Sequence, residues 1–217
     1  MNAATNVQAA ASASVEQTSM ARKLVGRTCL AGYQTWLRGR SKLLSLLISG
    51  SFASFGKRTV LTHPIRLGGT ERISIGTGVF MGADCWLQAL PDGDFQDVAI
   101  SIGDGCSVAG GCVISAVRQI VLEDHVLLAR NVYIADHMHE YRRPNIPILV
   151  QGVTKMQPVR ISQGAWLGQN VVVCPGVTVG KRAVVGANSV VNTDIPDFCV
   201  AAGSPARVIK TIDFREP

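Results

Sequence analysis

The sequence predicts an all-β fold in which short strands coil around a prism, with an N-terminal helical arm and a short C-terminal helix. Three observations carry that prediction. Between Ile161 and Asn192, aliphatic residues stand at Ile161, Leu167, Val173, Val179, Val185 and Val191, six apart without a slip. Two residues ahead of each, from Leu167 on, sits a small or branched residue: Ala165, Val171, Val177, Ala183 and Ser189. Two-residue spacing puts both side chains on one face of an extended strand. The trios between them, Gly168-Gln169-Asn170, Cys174-Pro175-Gly176, Gly180-Lys181-Arg182 and Gly186-Ala187-Asn188, are rich in residues that turn corners. Gly, Asn and Pro supply positive or fixed φ at low steric cost. A strand and a corner repeated every six residues wind a chain into stacked coils.

Composition agrees with such a coil. Apolar residues make up 47%, charged residues 17%, and 22 glycines are present, which suits a β-rich repeat and excludes a disordered chain. The net charge of +6 is unevenly spread. The first third, to Arg72, is strongly basic and the remainder slightly acidic, so a nucleic-acid surface along the coil is not expected and no nucleic-acid partner is predicted.

In chain order, residues 1–20 are rich in Ala, Ser, Thr and Asn and read as a flexible tail. Residues 21–72 form a basic, partly helical arm. It mixes Arg22, Lys23, Arg27, Arg38, Arg40 and Lys42 with Leu24, Leu30, Trp36, Leu37 and the apolar run Leu43–Ile48. Two readings stand. The arm rests on an anionic membrane surface, or it packs on the open end of the coil and covers its edge strands. No run is long and apolar enough to propose a membrane span, and Leu43–Ile48 lies too far in for a signal peptide.

The coil is expected over 73–198. Ile75, Met81 and Leu87 keep the step before a loop at 88–99, with Pro91-Asp92-Gly93-Asp94 as its turn. The beat returns at Ile102, Val108, Ile114 and Ile120, slips by two, and resumes at Leu122, Leu128 and Ile134. A longer loop at 137–159 then precedes the regular run. Residues 199–217 leave the coil, with Ser204 as N-cap and Pro205 as first residue of a helix reaching about Ile212. Cys85, Cys106 and Cys112 fall on the inward small position and read as core fillers. No CxxC pair supports zinc, and a reduced, cytoplasmic protein is expected.

Loops that interrupt a rigid scaffold are where sites are built. His125 sits in a corner trio and His63 precedes a proline, and neither needs a special role. His137 stands where the coil breaks into the long loop, beside Asp136, with the ingredients of a general base and an orienting carboxylate. A solvated corner histidine would look the same.

The runs Ile102-Gly103-Asp104-Gly105, Leu122-Glu123-Asp124-His125-Val126-Leu127 and Asp136-His137-Met138-His139 resemble the hexapeptide-repeat acyltransferases. So do Ala165-Trp166-Leu167-Gly168, Gly186-Ala187-Asn188-Ser189-Val190-Val191 and the ending Ala202-Gly203-Ser204-Pro205-Ala206-Arg207-Val208-Ile209-Lys210. The similarity is greatest to the branch of galactoside, maltose and surface-polysaccharide O-acetyltransferases. It implies a left-handed parallel β-helix, a triangular prism of three short sheets, assembled as a homotrimer with each active site between neighbouring prisms. It implies acetyl-CoA as co-substrate, a sugar or glycoside acceptor and no metal. By position His137 matches the family's catalytic base, with Asp136 beside it and His139 as the alternative base. Trp166, Gly168, Ala187, Asn192 and Thr193 match the wall of the pantetheine groove, and Arg207 and Lys210 match cations that meet the CoA phosphates, where positive charge is the requirement.

Ala116 and Val117 depart from acidic residues that the galactoside branch has nearby, which puts a galactoside or maltose acceptor in doubt. O-acetylation of a sugar in surface polysaccharide synthesis is the leading expectation, by a protein that is cytoplasmic or peripheral at the inner membrane face. Two alternatives stand: N-acetylation of an amino-sugar nucleotide, and a trimeric coil that is only a scaffold. A γ-class carbonic anhydrase is disfavoured, because no third histidine joins His137 and His139.

Overall fold

A computed structural model describes residues 3–91 and 97–213 of the chain; along the first helix, side chains are described for Met20 and from Arg22 onward. The chain divides into two units between Arg40 and Ser41. One α-helix, Ala3–Ile48, begins in the first unit and ends in the second. The flexible tail expected over 1–20 is therefore corrected: the backbone is helical from Ala3 on, as an alanine-rich segment free of interior Pro favours. Within the first unit Tyr33 and Trp36 stack, and the Arg40 guanidinium lies 4.9 Å from the Trp36 ring centre. No helix among the described residues is long and apolar enough to cross a membrane.

In the second unit the last turns of the helix, Ser41–Ile48, seat on the start of the coil. Ser41 and Ser45 are buried, and the Leu61 amide donates to Ser45 Oγ at 2.9 Å. The hydroxyl supplies an acceptor that no preceding coil can offer.

The coil has three parallel faces. The first holds Ser54–Phe55, Ile73–Ile75, Ile100–Ile102, Ile120–Leu122, Val159–Ile161 and Thr178–Val179. The second runs from Val60–Leu61 through Phe80–Met81, Ser107–Val108, Leu127–Leu128, Trp166–Leu167 and Val184–Val185 to Cys199–Gly203. The third holds Arg66–Gly68, Trp86–Ala89, Val113–Ala116, Tyr133–Ala135, Val172–Val173 and Val190–Val191. In the regular run Ile161 pairs with Val179, Leu167 with Val185 and Val173 with Val191, so three hexapeptides complete one turn of the prism. All six of these aliphatic residues are buried, as are the small residues two positions before them. Parallel strands two or three residues long cannot stand alone, and their stability comes from this continuous core between coils.

The coil starts earlier than Ile73. Phe55, Leu61 and Leu67 already keep the six-residue step, but a short 3-10 turn at Thr70–Arg72 shifts the beat and conceals it. The first loop starts after Ala89, and the turn expected at Pro91-Asp92-Gly93-Asp94 lies, from Asp92 on, outside the described residues. The long loop carries a small hairpin, Met138–His139 against Val153–Thr154. Buried Gln151 ties that loop, donating to the carbonyls of Arg143 and Ile146 at 2.9 and 2.6 Å.

The C-terminal helix is also corrected. Ala206–Thr211 is a strand, antiparallel to Cys199–Gly203, and Ser204-Pro205 forms the hairpin turn rather than a helix start. Val208, Ile209 and Thr211 favour extended backbone, and the sheet edge left by Cys199–Gly203 offers a ladder to pair with, interrupted by a register shift between Val200 and Ala201.

Corners are held by polar side chains. Asn131 donates to Asn170 and Asn170 to Asn188 at 3.2 and 2.9 Å, each in the left-handed region. Acid side chains accept amides of the coil below: Asp104 from Thr77, Asp124 from Asp104. The three inward cysteines are free thiols that fill the core, and each also donates to a carbonyl of the next coil, Cys106 to Glu123 at 3.0 Å. Burial pushes the Cys106 thiol up to about 11.

At Gly103 the coils stack tightly: a Cβ would lie 2.5 Å from Asp124 Oδ1 and 2.7 Å from its nitrogen. Gly103→Ala is expected to cost ~1–3 kcal/mol, the usual range for overpacking. A lower denaturation midpoint with unchanged slope is the expected reading.

Candidate active site

The outer surfaces of the three faces differ. Along the first, the outward residues are mostly polar: Ser54, Ser74, Ser101 and Thr178 with Val121 and Arg160. Along the second they are largely apolar, with Phe80, Leu127 and Trp166 each more than two-fifths exposed. The third presents Trp86, Val113, Tyr133, Val172 and Val190, with the Arg66 guanidinium 4.8 Å from the centre of the Trp86 ring.

On the third face, just past Tyr133–Ala135, the chain leaves the coil at Asp136. This carboxylate is completely buried. The backbone amides of Val117, Arg118 and Gln119 converge on it, Val117 at 2.9 Å to Oδ1, Arg118 and Gln119 at 2.7 and 2.8 Å to Oδ2. Successive amides around one anion form a nest. His137 Nδ1 lies 2.9 Å from Asp136 Oδ1, with the imidazole side chain 8% exposed. Burial alone would raise the Asp136 pKa, but the bonds from His137 and the three amides outweigh it and hold the carboxyl below its ordinary value.

An ionised carboxylate only accepts, so the proton between the two groups belongs to His137 Nδ1. In the neutral imidazole, that tautomer leaves the lone pair on Nε2. His137 lines a cavity of about 300 Å³ with Tyr133, Ala135, Met138, His139, Val172, Val173, Cys174 and Pro175. His139 shares the cavity, on the hairpin strand opposite Val153, and is exposed. The carboxylate is spent on His137, which distinguishes the two imidazoles.

The other expected residues lie elsewhere on the chain. Trp166 points outward from the second face. Trp166 pairs with Val184, Val184 with Val200 and Val200 with Lys210, so the outward row through Trp166 ends at Lys210. Arg207 is on the same terminal strand, paired with Ala202, and donates to the Ala206 carbonyl at 2.7 Å. Gly168 and Ala187 stack at the corner between the second and third faces, where a Cβ on Gly168 would sit 2.7 Å from the Ala187 nitrogen. Asn192 and Thr193 are exposed at the corner beyond Val190–Val191. None of these seven lines the His137 cavity. One chain thus places the expected base and the expected cofactor residues on different faces.

Ala116 and Val117 are buried and do not line the cavity either. Sequence reasoning missed Tyr133 and Cys174, both legible afterwards from the outward register and the corner above it. The amide nest at 117–119 left no signal in residue types.

Two family profiles match the chain: "Bacterial transferase hexapeptide (six repeats)" over residues 158–193 and "Hexapeptide repeat of succinyl-transferase" over 72–116. WbbJ of Escherichia coli K12, named for lipopolysaccharide biosynthesis O-acetyl transfer, is 32% identical over 158 residues, 70% of this chain and 78% of that protein. The galactoside O-acetyltransferase of the same organism is 27% identical over 195 residues, covering 90% of this chain and 81% of that one. The chain spans 44% of the length of another relative, the Mycobacterium tuberculosis acetyltransferase Rv3034c, at 34% identity over 64% of its own length. Among solved structures, that of AntD, an N-acyltransferase from Bacillus cereus in complex with dTDP and 3-hydroxybutyryl-CoA, shares the fold. Its TM-score is 0.67 at 21% identity, covering 79% of this chain and 89% of that one. With this fold, these repeats and the identity to WbbJ over most of both chains, the protein belongs to the hexapeptide-repeat acyltransferase family, in the branch of the galactoside and lipopolysaccharide O-acetyltransferases.

Proposed function

We propose that the protein transfers acetyl from acetyl-CoA to a sugar hydroxyl, in surface polysaccharide synthesis, with His137 as general base. The observation that carries this reading is the Asp136–His137 pair: a buried, ionised carboxylate held by three amides and bonded to Nδ1, beside a cavity of sugar size. Nε2 takes the proton of the acceptor hydroxyl as its oxygen attacks the thioester carbonyl. Asp136 stabilises the imidazolium that forms. The tetrahedral intermediate then collapses, the C–S bond breaks, and the imidazolium returns its proton to the leaving thiolate. The products are an O-acetyl sugar and CoA.

Assembly follows from the two apolar outer faces. A cyclic trimer would set the second face of each copy against the third face of the next, a heterologous contact that closes on itself. Such packing covers Phe80, Leu127 and Tyr133 and leaves the polar first face in water. It also carries the row from Trp166 to Lys210, with Gly168, Ala187, Asn192, Thr193 and Arg207 around it, to a neighbour's His137 cavity. Acetyl-CoA would lie in that seam, its phosphates near Arg207 and Lys210. The setting is cytoplasmic, where acetyl-CoA is made available, and the arm's exposed Arg22, Lys23 and Arg27 beside Leu24, Leu30 and Trp36 suit contact with an anionic membrane surface.

A hydroxyl acceptor fits better than an amine. The residues lining the cavity include no carboxylate to receive an ammonium group, and Asp136 is engaged by four donors. The test is thioester release from acetyl-CoA across a panel of neutral sugars, glycosides and amino-sugar nucleotides, with calorimetric titration of CoA alongside. Turnover with a neutral sugar is expected. Turnover only with amino sugars would reassign the reaction, and no CoA binding at millimolar ligand would reduce the protein to a scaffold.

A further inference from the structure

Arg72 ends the 3-10 turn before the strand Ile73–Ile75, and it is 7% exposed. A buried guanidinium is costly unless its donors and its charge are both met. Its donors are met by carbonyls: Nε to Asp97 at 3.0 Å, Nη1 to Leu90 at 2.5 Å and Nη2 to Val117 at 2.9 Å. Leu90 and Asp97 flank the first loop, so two of the bonds clamp its ends. The third reaches the corner that holds Asp136.

The carbonyl of Val117 and the N–H of Arg118 belong to the same peptide plane. Arg72 pulls on its oxygen, and Asp136 Oδ2 receives its hydrogen at 2.7 Å. A cation on the carbonyl polarises the amide and strengthens its bond to the carboxylate. One rigid peptide therefore links a buried cation to a buried anion, and the anion's other oxygen bonds His137 Nδ1.

We propose that Arg72 is the counter-charge of Asp136, acting through the 117–118 peptide, and is a positioning residue for His137. This rests on the reading of His137 as base. Arg72 neither lines the cavity nor touches reacting atoms, and its effect passes entirely through the corner amides. Misplacement of a base by a change far from the chemistry costs on the order of 10- to 100-fold in rate.

The test replaces Arg72 by methionine, and by lysine in case the neutral variant does not fold. Each protein is read at a temperature where its circular dichroism and oligomeric state match the parent's. The first readout is the His137 Nδ1 proton in histidine-labelled protein, which resonates far downfield when bonded to a carboxylate. The second is acetyl transfer, split into kcat and the KM for acetyl-CoA. The expected result is loss or marked upfield movement of the resonance, a fall in kcat of about 10- to 100-fold at nearly unchanged KM, and a smaller change in both with lysine. An unchanged resonance in a folded variant overturns the proposal, because a merely architectural arginine would lower stability and leave His137 as it was. A moved resonance with unchanged kcat supports the Arg72–Asp136–His137 coupling and removes His137 from the chemistry, which separates the two readings.

Discussion

His137→Ala is expected to reduce acetyl transfer by ~10²–10⁴-fold, the usual contribution of a positioned base. A sugar hydroxyl is almost wholly protonated at neutral pH, and without Nε2 its proton loses the carboxylate-backed acceptor. The fold should survive. Among the described residues the imidazole makes one bond, to Asp136, and the carboxylate keeps its three amides when that bond is lost. CoA affinity should also persist, because the expected cofactor wall lies on residues that do not line the His137 cavity. His139→Ala is the control. His139 shares the cavity without the carboxylate, so a change of only a few-fold is expected, on the order of a lost surface contact. Steady-state rates with an accepted sugar, with oligomeric state and CoA titration measured in parallel, decide the matter. If His137→Ala retains its rate and His139→Ala loses it, the base has been misassigned.

How much of this was legible in the sequence follows from which parts are written in residue types. The prism was, because the core of a coil demands one aliphatic residue per six, and Ile161 to Val191 supply them without interruption. His137 was legible as an interruption of that regularity. The first coils were not, because three residues of 3-10 turn at Thr70–Arg72 break the step that Phe55, Leu61 and Leu67 keep. The terminal strand was misread because Ser-Pro opens helices and hairpins alike, and the unpaired edge of Cys199–Gly203 decides between them. The cradle of Asp136 is beyond sequence reading in a stronger sense. Its donors are backbone amides of Val117, Arg118 and Gln119, and any non-proline residues could provide them. Arg72 shows the same limit, since a buried arginine whose partners are all carbonyls leaves no acidic residue to pair it with by eye.

The separation of the two half-sites makes a sharper prediction than either mutation alone. Ala187→Trp should fill the corner where Gly168 and Ala187 stack, blocking the expected pantetheine groove while leaving the same chain's His137 and Asp136 intact. Each variant by itself should be nearly inactive. Unfolded and refolded together in equal amounts, they should regain activity. In a cyclic trimer with heterologous contacts, a site is sound when its base comes from an Ala187→Trp chain and its cofactor wall from a His137→Ala neighbour, which random mixing gives at about one quarter of the sites. Recovery to roughly that fraction of the parent rate is therefore expected, from a background lower by ~10² or more. If both half-sites worked within one chain, every site in the mixture would contain a defect and nothing would return. Because the outcome turns on which chain supplies which wall, the trimer and the composite site stand or fall in the same measurement.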